Sequence, residues 1–346
     1  SKVPAGIRFK AVTNSPAQIQ TNTVYVVVDE VTYNTGGRWG QWANEGGSSL
    51  ELIDARANHR LPSNWADSDE TRKAPWTTVE ATGVLDNNVH SIAADSVHIL
   101  MMDAGECLLD NVQVIPASGA NVVPNGTFEI NATGWVFEGT HEQSSWESTE
   151  GDQSSRSLHV RASGRGDTGA NKIRAALSVV PAAGTTATLR ARVRWLRGYP
   201  ELLLRLHGNL LEAPGVMVVP ANLGTPGAAN SRAVTNAPPA IYEVAHSPVL
   251  PATGQAVVVT ARVHDPDGLA SLVLKYRLDP AATNISLPML DNGSGGDALA
   301  QDGLFSATIP GQAANGLVAF YIEAKDNASP GATALFPNTA PARECL

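Results

Sequence analysis

TTATLRARVRW (residues 185–195) decides the fold class. Leu189, Ala191, Val193 and Trp195 fall on one side of an extended chain, and Arg190, Arg192 and Arg194 on the other. Successive side chains of a strand point to opposite faces, so this period of two describes a strand with one buried face and one wet face. The arginine row invites a phosphate-binding reading. A solvated sheet face explains it without any ligand.

The same texture runs outward in both directions. Upstream lie TVYVVVDEV (23–31), SLELI (49–53), TTVEATGV (77–84), SVHILMM (96–102), LLDNVQVI (108–115) and SLHVRA (157–162). Downstream lie ELLLRLHG (201–208) and GVMVVP (215–220). Each run alternates or stays apolar between Gly, Asn, Asp and Pro, the punctuation of strands. With 31 glycines, 22 prolines and only 16% charged residues, the chain suits many short strands better than long helices, which need charged wet faces.

Several stretches are written twice, about a hundred residues apart, and such echoes point to repeated modules. GRWGQWANEGGSSLELIDARAN (37–58) is echoed by SSWESTEGDQSSRSLHVRASGRG (144–166), and TTVEATG (77–83) by TTATLRA (185–191). The expectation is therefore two jelly-roll-like β-sandwiches, residues 1–117 and 118–222. The Pro- and Gly-rich stretch LGTPGAANSRAVTNAPPA has no periodicity and predicts a linker over 223–237. Seven further strand-like runs, from IYEVAHSP to TALFP, predict an immunoglobulin/fibronectin type III-like sandwich over 238–346. The fold class is all-β.

NVVPNGTFE (121–129), SRSLHV (155–160) and TTATLRARVRW resemble the jelly-roll carbohydrate-binding modules of bacterial glycoside hydrolases. GTPGAANS (224–231) resembles the tail of lamin-tail-like domains in bacterial secreted proteins. HDPDG, DNGSGGDALAQDGLFSATIP and YIEAKDNAS resemble immunoglobulin-like modules strung through such proteins, some of which carry a kinase-like domain of the spore-coat-protein-H type. These resemblances imply an extracellular or cell-surface location and a modular architecture. They carry over no sugar-contacting residue.

A net charge of −9 without a basic stripe argues against nucleic acid, and no run of about 20 apolar residues argues for membrane insertion. The chain opens SKVPAGIRFK and closes PARECL after a strand-like run, so it is expected to be a segment of a longer polypeptide or a mature product. Two cysteines, Cys107 and Cys345, make no disulfide framework.

Two candidate sites follow from the residues. If every second loop of the last module emerges at one pole, Asp265, Asp267, Asp291, Asp297, Asp302 and Asp326 gather there, and clustered carboxylates suit calcium. Asp-Gly and Asp-Asn pairs are also ordinary turn formers. Trp39, Trp42, Trp65 and Trp76 crowd the first repeat, where exposed indoles form sugar platforms and buried ones fill cores. Arg165-Gly166-Asp167 spells an adhesion tripeptide and reads as a tight turn. The 8 histidines show no zinc spacing, and no nucleophile elbow, phosphate loop or zincin signature occurs.

The reading is a non-catalytic extracellular array serving adhesion, spacing or surface assembly. Its partners would be a polysaccharide, other surface proteins or a second copy. It requires no cofactor, and calcium is the candidate ion. The alternatives are a carbohydrate-binding array, or the accessory region of a larger glycoside hydrolase or kinase-like enzyme.

Overall fold

The computed structural model describes residues 3–12, 18–26, 29–86, 92–117 and 119–346. Strands dominate. Their only helical companions among the described residues are two single 3-10 turns, Pro62–Asn64 and Gly139–His141. β1 (Val3–Val12) and β2 (Gln18–Val26) pair antiparallel. β3 (Leu50–Leu52) and β4 (Trp65–Asp67) form a short ladder. There follow β5 (Thr77–Val84), β6 (Ser96–Met101), β7 (Gly105–Pro116), β8 (Trp135–Phe137), β9 (Ser145–Glu147) and β10 (Ser157–Ala162). Next come β11 (Ile173–Ala176), β12 (Thr186–Gly198), β13 (Glu201–Leu206) and β14 (Glu212–Val216). The last seven are β15 (Ala240–Ser247), β16 (Val257–His264), β17 (Leu269–Asp279), β18 (Ile285–Pro288), β19 (Leu304–Ile309), β20 (Leu317–Asp326) and β21 (Thr333–Phe336).

The chain divides into two units. One comprises Gln41–Leu50 and Asp67–Ser231, and the other Ser1–Gly40, Glu51–Ala66 and Arg232–Leu346. The first is a ten-stranded antiparallel sandwich, with sheets ordered β5-β12-β7-β10-β9 and β14-β13-β6-β11-β8. Val79, Leu109, Val160 and Val193 from one sheet, and Ile99, Met101, Ile173 and Leu204 from the other, share a single core.

This arrangement differs from the expected division at residue 117. β12 lies between β5 and β7, and β6 lies between β11 and β13, so strands from both expected halves alternate in each sheet. Residues 77–116 supply three strands, too few to build two facing sheets. The echo between TTVEATG and TTATLRA has a different origin. The two segments are adjacent strands, paired from Thr77↔Val193 to Val84↔Thr186, and they alternate alike because they cover the same core. The longer echo also dissolves. Trp146 lies in β9 with its indole Nε1 donating to the Phe128 carbonyl, whereas Trp39 lies outside any strand against Trp65.

The expected linker is tied down as well. Gly224 N–H donates to Glu70 at 3.1 Å, and the Gly224 carbonyl accepts from Lys73 Nζ. In the other unit, Arg232 N–H reaches Glu51 and Val234 N–H reaches the Ile53 carbonyl. Small polar residues without period look like spacer. Here their main-chain groups meet buried carboxylates supplied by distant segments.

The second unit carries all seven strands where seven were expected. Their sheets are ordered β15-β16-β19 and β18-β17-β20-β21, closed over Ile241, Val259, Leu274, Ile309, Phe320 and Ile322. Both cysteines are free thiols. Cys107 is buried, which pushes its thiol far up and leaves it unreactive.

Candidate functional site

β12 keeps strict alternation of burial through Trp195 and then breaks it. Trp195 and Leu196 are both buried, and the register against β7 shifts between Trp195 and Arg197. A bulge of this kind re-aims a side chain. It turns Arg197 outward onto Glu106 of β7, Nε to Oε2 at 3.4 Å. His159 of β10 approaches the same carboxylate at 2.8 Å, and Arg161 stands 3.9 Å away. Trp42 completes the ring, donating from its indole Nε1 to Glu106 Oε1 at 3.0 Å.

Trp42 is placed by its main chain. The N–H groups of Trp42 and Ala43 both donate to Asp67 Oδ1. Its ring lies over Gly198, where an added Cβ would sit 2.4 Å from Trp42 Cζ3, and Gly198 also holds φ +73°. Glycine satisfies both demands.

Burial alone would raise the Glu106 pKa. The hydrogen bond from His159 and the charges of Arg197 and Arg161 outweigh it and hold the carboxyl below its ordinary value. Beside this anion lies a hollow of about 70 Å³ lined by Gln41, Trp42, Thr140, Glu142, Gln143 and Arg161. Amide, hydroxyl, carboxylate and guanidinium groups alternate around it, next to one aromatic edge. It has the size of a hydroxyl-bearing group rather than of a whole sugar ring.

Of this site, sequence reasoning names only Trp42. The available signal was the broken alternation at WLRG (195–198). Pairing with Glu106 could not be read from it, because the partner lies some 90 residues away on a strand whose register was unknown.

The arginine row of β12 is a paired sheet face. Arg190 meets Glu80 and Gln113, Arg192 meets Asp152 at 2.7 Å, and Arg194 meets Glu150 at 3.3 Å. Each guanidinium is committed, which argues against a phosphate cradle.

The four candidate tryptophans separate. Trp42 is 9% exposed beside Glu106, and Trp76 is half-buried beneath the Arg194 guanidinium at 5.2 Å. Trp39 and Trp65 belong to the other unit, where they pair at 6.3 Å and 44°, with Trp65 Nε1 donating to the His59 carbonyl. In the adhesion-like tripeptide, Gly166 N–H donates to the Met101 carbonyl, and Asp167 accepts from Gly169 and Asn171. That is the expected turn.

The six aspartates divide three and three. Asp267 pairs with Arg56 at 2.9 Å, and Asp326 accepts from Ala328 N–H, Ala332 N–H and Asn236 Nδ2. Burial, with Asp326 and Asp267 nearby, raises the Asp265 pKa. Asp291, Asp297 and Asp302 instead bring one oxygen each within 4.8 Å of the others.

Asp110 is pushed up to about 6, chiefly by burial. It is 1% exposed, accepts from the Asn111 and Asp152 N–H groups, and does not line the hollow. A larger groove of about 590 Å³ in the second unit is lined by Val249, Leu250, Ile309, Leu317, Phe320 and Leu346, with no acidic or basic side chain apart from His246. No described helix is long and apolar enough to cross a membrane. No protein-family model matches this chain, and no curated protein matches it.

Proposed function

We propose that this chain is a non-catalytic, extracellular β-sandwich protein of adhesive or spacing type, and that its ten-stranded unit holds a carbohydrate at the Glu106 hollow. The observation that carries the reading is the hollow itself. An anion paired with His159 and Arg197 lies beside Trp42, with the Gln41 and Gln143 side chains on the hollow's wall and the Arg161 guanidinium held there by Ser145 and the Gln143 carbonyl. Sugars are recognised by such mixed donors and acceptors next to an aromatic edge. Glu106 acts as an organiser. Trp42 and His159 hydrogen-bond its oxygens while Arg197 and Arg161 pair with its charge, and a carboxyl held ionised has no proton to give to a leaving group.

Binding of the whole chain to a glycan and polysaccharide array tests this directly. Arg161→Ala should abolish a competable hit, whereas Trp65→Ala should leave it intact. Equal binding by wild type and Arg161→Ala would move the ligand elsewhere.

The uncharged groove favours a second reading, assembly through an apolar surface. Leu250 is 90% exposed there, and exposed apolar patches commonly mark interaction sites. Sedimentation velocity separates the two, because assembly predicts concentration-dependent association that Leu250→Asp removes.

A further inference from the structure

In β19, Phe305, Ala307 and Ile309 pack on the core, so Leu304, Ser306 and Thr308 face the other way. The segment Asp291–Asp302 folds over that outward face. The Thr308 hydroxyl donates to the Gly295 carbonyl, and a Cβ on Gly296 would sit 2.7 Å from Val258 and 3.1 Å from Thr308 Oγ1. At the loop's return, Arg262 donates to the Asp302 carbonyl. Ser306 is therefore covered. It is only 3% exposed, and its main chain exchanges both hydrogen bonds with Leu290, the residue before Asp291.

Its hydroxyl has no partner. A buried hydroxyl normally finds one, and leaving it without one is costly. The loop lying over Ser306 carries three carboxylates whose oxygens converge within 4.8 Å. Asp297 is 8% exposed. Among the described residues no basic side chain forms a salt bridge with Asp291, Asp297 or Asp302, although the Arg262 guanidinium, paired with Glu243, lies beside Gly303. Like charges this close repel one another, and a cation among them would relieve that.

We propose that the loop Asp291–Asp302, closed from beneath by Ser306, is a calcium site. Calcium takes six to eight hard oxygens at about 2.3–2.6 Å in flexible geometry. Three carboxylates, one hydroxyl and main-chain carbonyls of a Gly-rich loop meet that requirement. The main-chain donors already bound to the aspartates, such as Gly303 N–H on Asp291 and Leu304 N–H on Asp302, leave each carboxylate further lone pairs. Magnesium, which demands a tight octahedron and keeps its waters, suits this loop less well. Bound calcium would pin the loop to the outward face of β19 and stiffen that side of the sandwich. Asp265, Asp267 and Asp326 take no part.

The test is calcium titration of the whole, chelator-treated chain by calorimetry, with thermal unfolding in calcium and in chelator. We expect saturable uptake of one ion at this loop and a higher Tm in calcium. Asp297→Asn should weaken uptake at least tenfold. Ser306→Ala should weaken it several-fold with little change in chelator Tm, which separates a ligand role from a folding role. Asp267→Asn should bind as wild type does. No uptake by the wild type at millimolar calcium overturns the proposal. So does uptake that Asp297→Asn and Ser306→Ala leave unchanged.

Discussion

Acidification from pH 7 to pH 5 should destabilise the ten-stranded unit through His141. This ring is fully buried, and its Nε2 accepts the Met101 N–H at 2.9 Å. Because Nε2 accepts, the neutral ring carries its proton on Nδ1, which lies 3.0 Å from the Thr140 hydroxyl. A second proton could go only to Nε2, where it would break the bond to Met101. Burial, the main cause, lowers the His141 pKa to about 4, against about 6.5 in the unfolded chain. The folded state therefore resists protonation. Its stability contribution is complete above the unfolded pKa and falls away as pH drops from about 6.5 towards 4, because the unfolded chain binds the proton first. Between pH 7 and pH 5 the loss for one such group is about 2 kcal/mol, or roughly 4–8 °C in Tm for a unit of this size. The measurement is chemical unfolding of the whole chain across this range, paired with hydrogen exchange at the Met101 amide. His141→Gln keeps an acceptor and removes the titration. Its stability should be lower at pH 7 and flatter with pH by about 2 kcal/mol. Parallel pH profiles for wild type and variant would refute the reasoning.

Three further outcomes follow from the same structure. His98, also lowered to about 4 by burial and by Lys172, His207 and Arg205, should add a second step of the same sign, which His98→Gln removes from the unfolding profile. Glu106→Gln leaves His159 and Arg197 without their anion, and should cost about 3 kcal/mol in denaturant unfolding and abolish any glycan binding. Gly198→Ala combines positive φ with a clash against Trp42, and should lower the urea midpoint by the equivalent of about 1–3 kcal/mol.

Much of the local structure is legible in single segments. TLRARVRW announces its own two faces, and each of the seven runs after residue 238 is a strand, because alternation and turn residues are short-range signals. The Glu106 hollow is not legible in this way. Its parts come from Trp42, β7, β10 and β12, and only the pairing of those strands brings them together. The echo of TTVEATG in TTATLRA misleads for a related reason. Neighbouring strands of one sheet share an environment and so come to share a pattern, with no duplication of the fold required.

The sequence by itself determined that the chain is all-β, where most strands run, and that the loop before β19 is rich in aspartate and glycine. Tertiary structure alone decided that residues 41–50 and 67–231 close one sandwich, that the arginine row is neutralised, and that Asp291, Asp297 and Asp302 converge while Asp265, Asp267 and Asp326 do not. The physical reason is the same in each case. Periodicity is a property of neighbours along the chain, whereas strand order and charge pairing depend on which distant segments can bury their faces together.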